Sequence, residues 1–175
     1  NMKSNLTIIE LKNYDRKVTY DLPILPSPNL PNRKSINLYP SLCLFEGTNV
    51  SVGRGTEMQF QIYGSPYLNK EKNNFRFTPK KNSGSKYPKH ENLLCYGKNL
   101  SENKKLDRFD LSFLLNAYSD TNDKQNFFNN YFDKLAGTNS LKNQIISGLS
   151  EKKIIQSWKK KLDIYKEMRM KYLIY

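Results

Sequence analysis

The chain has 175 residues, 37% apolar and 13% aromatic, with 29 Lys and Arg against 16 Asp and Glu, giving a formal net charge of +13. This length suits one domain, residues 1–175, with its own core, and the aromatic content excludes a disordered tail despite a mean hydropathy of −0.76. No run approaches the ~20 apolar residues of a membrane span, and the start lacks a signal-peptide pattern, so Asn1-Met2 reads as a cut point.

The positive charge favours an anionic partner such as nucleic acid, acidic lipid or acidic glycan. Much of it lies as Lys beside Asn, from Asn69 to Asn74 and from Lys80 to Lys86, and reads as solvated surface. No helix-turn-helix, zinc-ligand spacing or aromatic ribonucleoprotein motif accompanies it, so no nucleic acid partner is expected. Cys43 and Cys95 stand in apolar surroundings without metal-ligand spacing and read as buried free thiols. No metal or cofactor is expected.

In chain order, Leu6 to Leu11 contains the β-branched run Thr7-Ile8-Ile9 and predicts a buried strand. Five of the eight prolines follow between Pro23 and Pro40, and Pro26-Ser27-Pro28-Asn29-Leu30-Pro31 predicts an irregular extended loop. That loop reads either as a stiff connector or as a rigid cleft wall. Leu38 to Phe45 is apolar, and Pro40 stands where a short helix can begin, although a strand fits nearly as well. Short runs around Phe60-Gln61-Ile62-Tyr63, Phe75-Arg76-Phe77 and Leu93 to Tyr96 predict strands.

The last third changes period. Leu111, Leu114, Leu115 and Tyr118, then Phe128, Phe132 and Leu135, recur at helical spacing. Ser150 can cap a final helix whose face is Ile154, Trp158, Leu162 and Tyr165, with Trp158 as core anchor. Strands first and helices later predict an α+β domain, in which N-terminal strands and Pro/Gly-rich loops form a sheet and C-terminal helices pack on it.

The segment from Leu44 to Thr56 holds one acid, one guanidinium, several hydroxyls and three glycines. Glycine lets the backbone approach a ligand closely, and Arg54 offers a planar fork of donors that matches a carboxylate. The segment therefore reads as a ligand-contacting loop, the plainer alternative being a tight turn in which Arg54 pairs with Glu46. A phosphate loop is excluded because no Gly-Lys-Ser/Thr ending or following helix is present. Glycoside hydrolysis normally needs two flanking carboxyl groups, and Glu46 is the single acid here, so it is a suspect and not an active site. His90, the sole histidine, lies in a Lys-rich stretch and is expected to be exposed, without a triad or metal role.

Leu22-Pro23, the Pro26 to Pro31 run, Tyr39 to Thr48, Ser51 to Thr56, Phe75 to Pro79, Leu94 to Gly97, Phe132 to Gly137, Trp158 and the ending Arg169 to Tyr175 occur together in one order. In that combination the chain resembles the C-terminal domain of the peptidoglycan exo-β-N-acetylmuramidase family. The resemblance implies a two-domain glycoside hydrolase that removes N-acetylmuramic acid from non-reducing ends. Its Rossmann-like N-terminal domain, absent from this chain, would carry the catalytic glutamate and be the chain's partner alongside peptidoglycan fragments. The resemblance also implies an exported, periplasmic or surface location.

On this reading the chain supplies one wall of an interdomain cleft and is inactive alone. Arg54 would hold the lactyl carboxylate of N-acetylmuramic acid. Glu46, Asn49, Ser51 and Thr56 would meet sugar hydroxyls or the acetamido group, and Pro28 and Asn29 would shape the rim. The alternative is a binding module without catalysis in any context, docking on peptidoglycan or on a protein. Two positions depart from the family pattern: Val52 stands where an acid is frequent, and Tyr67 where a Trp is common.

Overall fold

The computed structural model describes residues 4–174. Its elements are α1 (Arg33–Leu42), a short 3₁₀ helix (Cys43–Gly47), β1 (Ile62–Ser65), β2 (Phe75–Phe77), β3 (Cys95–Asn99), α2 (Ser112–Asp120), α3 (Phe132–Ala136), α4 (Ser140–Ile146) and α5 (Glu151–Met170). The strands form one antiparallel sheet in the order β1-β3-β2. The architecture is α+β, as the change of hydrophobic period predicts. One helix nevertheless precedes the strands.

That helix begins at Arg33 and not at Pro40. Asn32 forms a reciprocal cap with Ser35: its side chain accepts from Ser35 N at 2.9 Å, and its own N–H donates to Ser35 Oγ at 3.3 Å. Leu38 and Leu42 face the core, while Pro40 lies exposed inside the helix. Proline lacks the N–H of the next rung, and the chain tightens into the 3₁₀ helix just beyond it.

The strand expected at Leu6 to Leu11 is absent. Residues 4–11 take no strand or helix, and Ile8 and Ile9 are 58% and 91% exposed. A β-branched run becomes a strand only where a sheet edge accepts its backbone bonds. Here the free side of β1 is taken by another segment: Ser51 N donates to Gly64 O at 2.8 Å, and Gly64 N to Ser51 O at 2.9 Å.

Gly64 and Gly97 are paired across β1 and β3. A Cβ on Gly97 would lie 1.8 Å from Tyr63 O, and one on Gly64 would lie 2.6 Å from Tyr96 O. The two glycines thus allow the strands to close behind the core. In front of them Phe45 stacks on Tyr63 with ring centroids 5.0 Å apart, and Tyr63 meets Phe113 of α2 at 6.2 Å. Phe127, Phe128 and Phe132 extend the aromatic cluster toward α3, with Phe128 standing before that helix rather than in it.

α5 follows Ser150, whose backbone is extended as an N-cap requires but whose side chain makes no capping hydrogen bond. Ile154 is fully buried and Trp158 half-buried against Phe109. The expected face then fails, since Leu162 and Tyr165 are 43% and 54% exposed. A helix of 20 residues runs about 30 Å, and Ile154 in its first turns is the only one of them that is buried.

Both cysteines are free, Cys43 half-buried and Cys95 fully buried. Burial pushes the Cys95 thiol up to about 12. Burial also raises Cys43, with the Glu46 carboxylate adding to it. Among the described residues no helix is long and apolar enough to cross a membrane.

Replacing Gly97 by alanine should destabilise the fold by about 3 kcal/mol, because the new methyl meets backbone that cannot yield. Thermal unfolding checks this, and an unchanged midpoint would contradict the close approach. Iodoacetamide at about pH 8 should alkylate Cys43 but spare Cys95 until denaturant is added. Equal native rates by mass spectrometry would contradict the burial of Cys95.

Candidate functional site

The loop from Gly47 to Met58 is fixed by threonine hydroxyls within it and by backbone bonds to neighbouring segments. Gly47 lies against α3, where a Cβ would come within 2.5 Å of Phe132 Cα. Thr48 Oγ1 donates to Phe45 O at 2.8 Å and accepts from Val50 N at 3.0 Å, closing the turn that follows the 3₁₀ helix. Asn49 N donates to Phe127 O at 2.8 Å, and Phe60 N to Val52 O at 2.8 Å. With the Ser51–Gly64 pair, these bonds attach the loop along the edge of β1.

Gly53, at φ +77°, is held between Ile62 and Met58, in a backbone region that side chains other than glycine rarely adopt. Thr56 Oγ1 donates to Gly53 O at 2.7 Å and accepts from Met58 N at 3.0 Å. Thr56 therefore locks the turn and lies outside the residues that line the cleft.

Between its two glycines the loop presents Arg54. Its Nη2 donates to Glu46 Oε1 at 2.6 Å, and its guanidinium lies 5.5 Å from the centroid of the Phe60 ring. The two side chains are 40% and 30% exposed, so the pair faces solvent at the mouth of a cavity. Arg54 Nε is buried and has no partner.

That cavity, about 230 Å³, is lined by Glu46, Ser51, Arg54, Ser85, Tyr87 and Lys89, with Pro88, Val50 and Val52 behind. Three of the residues singled out from sequence, Glu46, Ser51 and Arg54, thus meet on it. Asn49 lies behind the wall, and both ends of its side-chain amide are buried without a partner. Pro28 and Asn29 pack against Gly84, with Asn29 Nδ2 donating to Gly84 O at 2.8 Å. They brace the turn that carries Ser85 and do not themselves line the cleft.

The Lys80 to Lys86 stretch, read as solvated surface, contributes Ser85 to the cleft, and Lys89 just beyond it closes the other side. Lys89 Nζ donates to Phe45 O at 3.2 Å, to Val50 O at 3.1 Å and to Thr48 O. Burial lowers its pKa to about 8; the Glu46 carboxylate opposes that shift and Arg54 adds to it.

His90 is a second correction. It is half-buried with φ +61°, its Nε2 lies 2.6 Å from Asn49 O, and Tyr67 stands edge-on at 5.8 Å. Burial lowers its pKa, the bond to Asn49 O opposes this, and the charge of Lys89 lowers it further. Composition concealed these roles. The one available signal was Tyr87-Pro88, an aromatic and a proline inside a polar run.

A larger groove of about 680 Å³ follows α5 between Arg108, Ile155, Lys159, Leu162 and Lys166. It is largely apolar surface, and its ion pairs, Lys159–Asp163 and Lys166–Asp163, are solvent-exposed and share one carboxylate. The smaller cleft has what a carboxylated ligand needs: guanidinium donors, a nearby ammonium and the hydroxyls of Ser51, Ser85 and Tyr87. It holds a single carboxylate, already engaged by Arg54. Among the described residues no three His, Cys, Asp or Glu side chains gather where they could hold a metal.

Comparison with known proteins agrees with the resemblance drawn from the motifs. The family described as the C-terminal part of exo-β-N-acetylmuramidase NamZ matches residues 37–175. A peptidoglycan β-N-acetylmuramidase NamZ of Bacillus subtilis (strain 168) is 34% identical over 197 aligned residues, which cover 98% of this chain and 46% of the relative. A crystal structure of a DUF1343 family protein from Bacteroides fragilis superposes with a TM-score of 0.86 at 43% identity, covering 94% of this chain and 47% of the other. The chain therefore spans about half the length of the relatives it matches. It belongs to the family of the C-terminal domain of the exo-β-N-acetylmuramidase NamZ.

Proposed function

We propose that this chain forms one wall of the substrate cleft of a peptidoglycan-degrading glycosidase that removes N-acetylmuramic acid from non-reducing ends. In this reading a Rossmann-like N-terminal half of the same polypeptide supplies the catalytic carboxylate, and the protein works in the periplasm or at the cell surface. The observation that carries the proposal is the half-exposed Arg54 guanidinium, set at the mouth of a cleft that also holds the Lys89 ammonium. N-acetylmuramic acid differs from other common amino sugars by its lactyl carboxylate. A planar guanidinium next to an ammonium is suited to recognise that group.

Glu46 fits the role of a partner that orients Arg54 better than that of an acid catalyst. Its carboxylate receives Arg54 Nη2, and no second carboxyl lines the cleft. Glycoside hydrolysis with one engaged carboxylate lacks the acid and base pair that the reaction normally uses. Ser51 and Ser85 would accept sugar hydroxyls, and the exposed Tyr87 ring at the mouth would lie against a pyranose face.

The chain alone should release no N-acetylmuramic acid from a muramic-acid-terminated disaccharide, whereas a polypeptide joining it to an N-terminal half of the relatives' length should. In that longer protein Arg54→Ala should weaken substrate binding about tenfold, the worth of one charge-assisted hydrogen bond. The same change should cost under about 1 kcal/mol of stability, because a pair this exposed is screened by water. Unchanged binding in Arg54→Ala would overturn the anchor. Release by the chain alone would return Glu46 to the catalytic role, and glycan binding without hydrolysis in the longer protein would favour the binding-module alternative.

A further inference from the structure

Pro88, Lys89 and His90 each engage a different part of the loop from Phe45 to Gly55. Pro88 packs against Gly55, where a Cβ would lie 2.7 Å from Pro88 Cβ. His90 Nε2 meets Asn49 O at 2.6 Å. Between them Lys89 reaches the carbonyls of Phe45, Thr48 and Val50, which converge on its ammonium from one turn. An ammonium has three donors and no acceptor, so three converging carbonyls use its full capacity. No hydrogen remains for a ligand, and Lys89 acts on whatever the cleft holds through the loop and through its charge.

We propose that Lys89 is the positioning residue of this cleft: its ammonium gathers the Phe45, Thr48 and Val50 carbonyls, sets the course of the loop that carries Glu46, Ser51 and Arg54, and supplies charge that favours an acidic sugar. The ligand half of this inference rests on the carboxylate reading above; the loop half does not. The charged or titratable groups facing Lys89 are Glu46 and Arg54 from the opposite wall and His90 beside it. Loss of the Lys89 proton leaves two donors for three carbonyls and removes one of the two cations of the cleft.

The direction of the pH effect separates positioning from plain stability. Lys89 has a value of about 8 in the folded chain against 10.5 for an ordinary lysine. Below the lower value it is charged in both folded and unfolded chains. Between the two values the folded chain has released a proton that the unfolded chain still holds, so this group makes the fold more stable as pH rises. Affinity for an acidic sugar should fall in that same window, which a merely structural lysine would not produce.

The test is a nuclear magnetic resonance titration of the free chain from about pH 6.5 to about pH 9.5, with Lys89→Arg as comparison because arginine keeps its charge throughout. The amide signals from Glu46 to Arg54 and the Lys89 side-chain signal should share one midpoint near 8, and the loop signals of Lys89→Arg should stay flat. Loop signals that ignore the Lys89 titration, wherever its midpoint falls, would overturn the role whether or not the variant folds. Affinity for N-acetylmuramic acid should drop about fivefold across the transition, while any affinity for N-acetylglucosamine, which has no carboxylate, stays level. Absence of N-acetylmuramic acid binding at about pH 7 by the longer protein that also has the N-terminal half would sink the carboxylate reading and leave the loop titration to decide the positioning role.

Discussion

Two hydrogen bonds between Ser51 and Gly64 decide where everything functional in this chain lies. They make a glycine-rich loop continue the sheet beyond β1 for one residue pair, so the segment inherits the rigidity of the sheet without becoming a strand. Backbone bonds from Asn49 to Phe127 and from Phe60 to Val52 extend the attachment on either side. A loop held in this way keeps a guanidinium in place at little entropic cost on binding, as a ligand-contacting segment on a rigid scaffold should. The glycines at 64 and 97 serve the same end, since they allow β3 to close on β1 from the other side.

The electrostatics of the cleft follow from that placement. One carboxylate, one guanidinium and one ammonium meet at the loop, leaving a net positive charge close to partly buried surface. Charges in such a position interact several-fold more strongly than in bulk water, at an effective dielectric of about 20. Most of the +13 charge, by contrast, is carried by exposed lysines, whose fields are screened within about 10 Å at ordinary salt. The overall basicity is therefore a poor guide to ligand, and the two cations at the cleft are a better one.

How much of this was legible depended on whether the deciding partner was near in sequence. Phe75–Phe77, the Cys95 strand and the Leu111 to Tyr118 helix declare themselves through local period and flanking turns, and the structure has elements there. Thr7-Ile8-Ile9 carries an equally strong strand signal and forms none, and the side of β1 at Gly64 is taken by Ser51. Leu162 and Tyr165 keep a helical apolar period beyond the point where α5 has anything to pack on. In both cases the pattern records what a segment can bury, and burial depends on a surface elsewhere.

The candidate site divides along the same line. Glu46, Ser51 and Arg54 were visible because an acid, a hydroxyl and a guanidinium among glycines is unusual chemistry for a turn. Thr56 was singled out within the same segment and Pro28 and Asn29 through the resemblance; in the structure Thr56 Oγ1 locks a turn, and Pro28 and Asn29 pack on the turn that carries Ser85. Lys89 and His90 were hidden among lysines and asparagines, since nothing in a polar run marks which member will be drawn inward. What draws Lys89 in is a set of three carbonyls some forty positions earlier, at Phe45, Thr48 and Val50. Those carbonyls meet where the chain passes from α1 through the 3₁₀ helix and Thr48 closes the turn behind it. A buried cation answers that convergence, so the inward lysine is a consequence of the turn and not of its own surroundings in sequence.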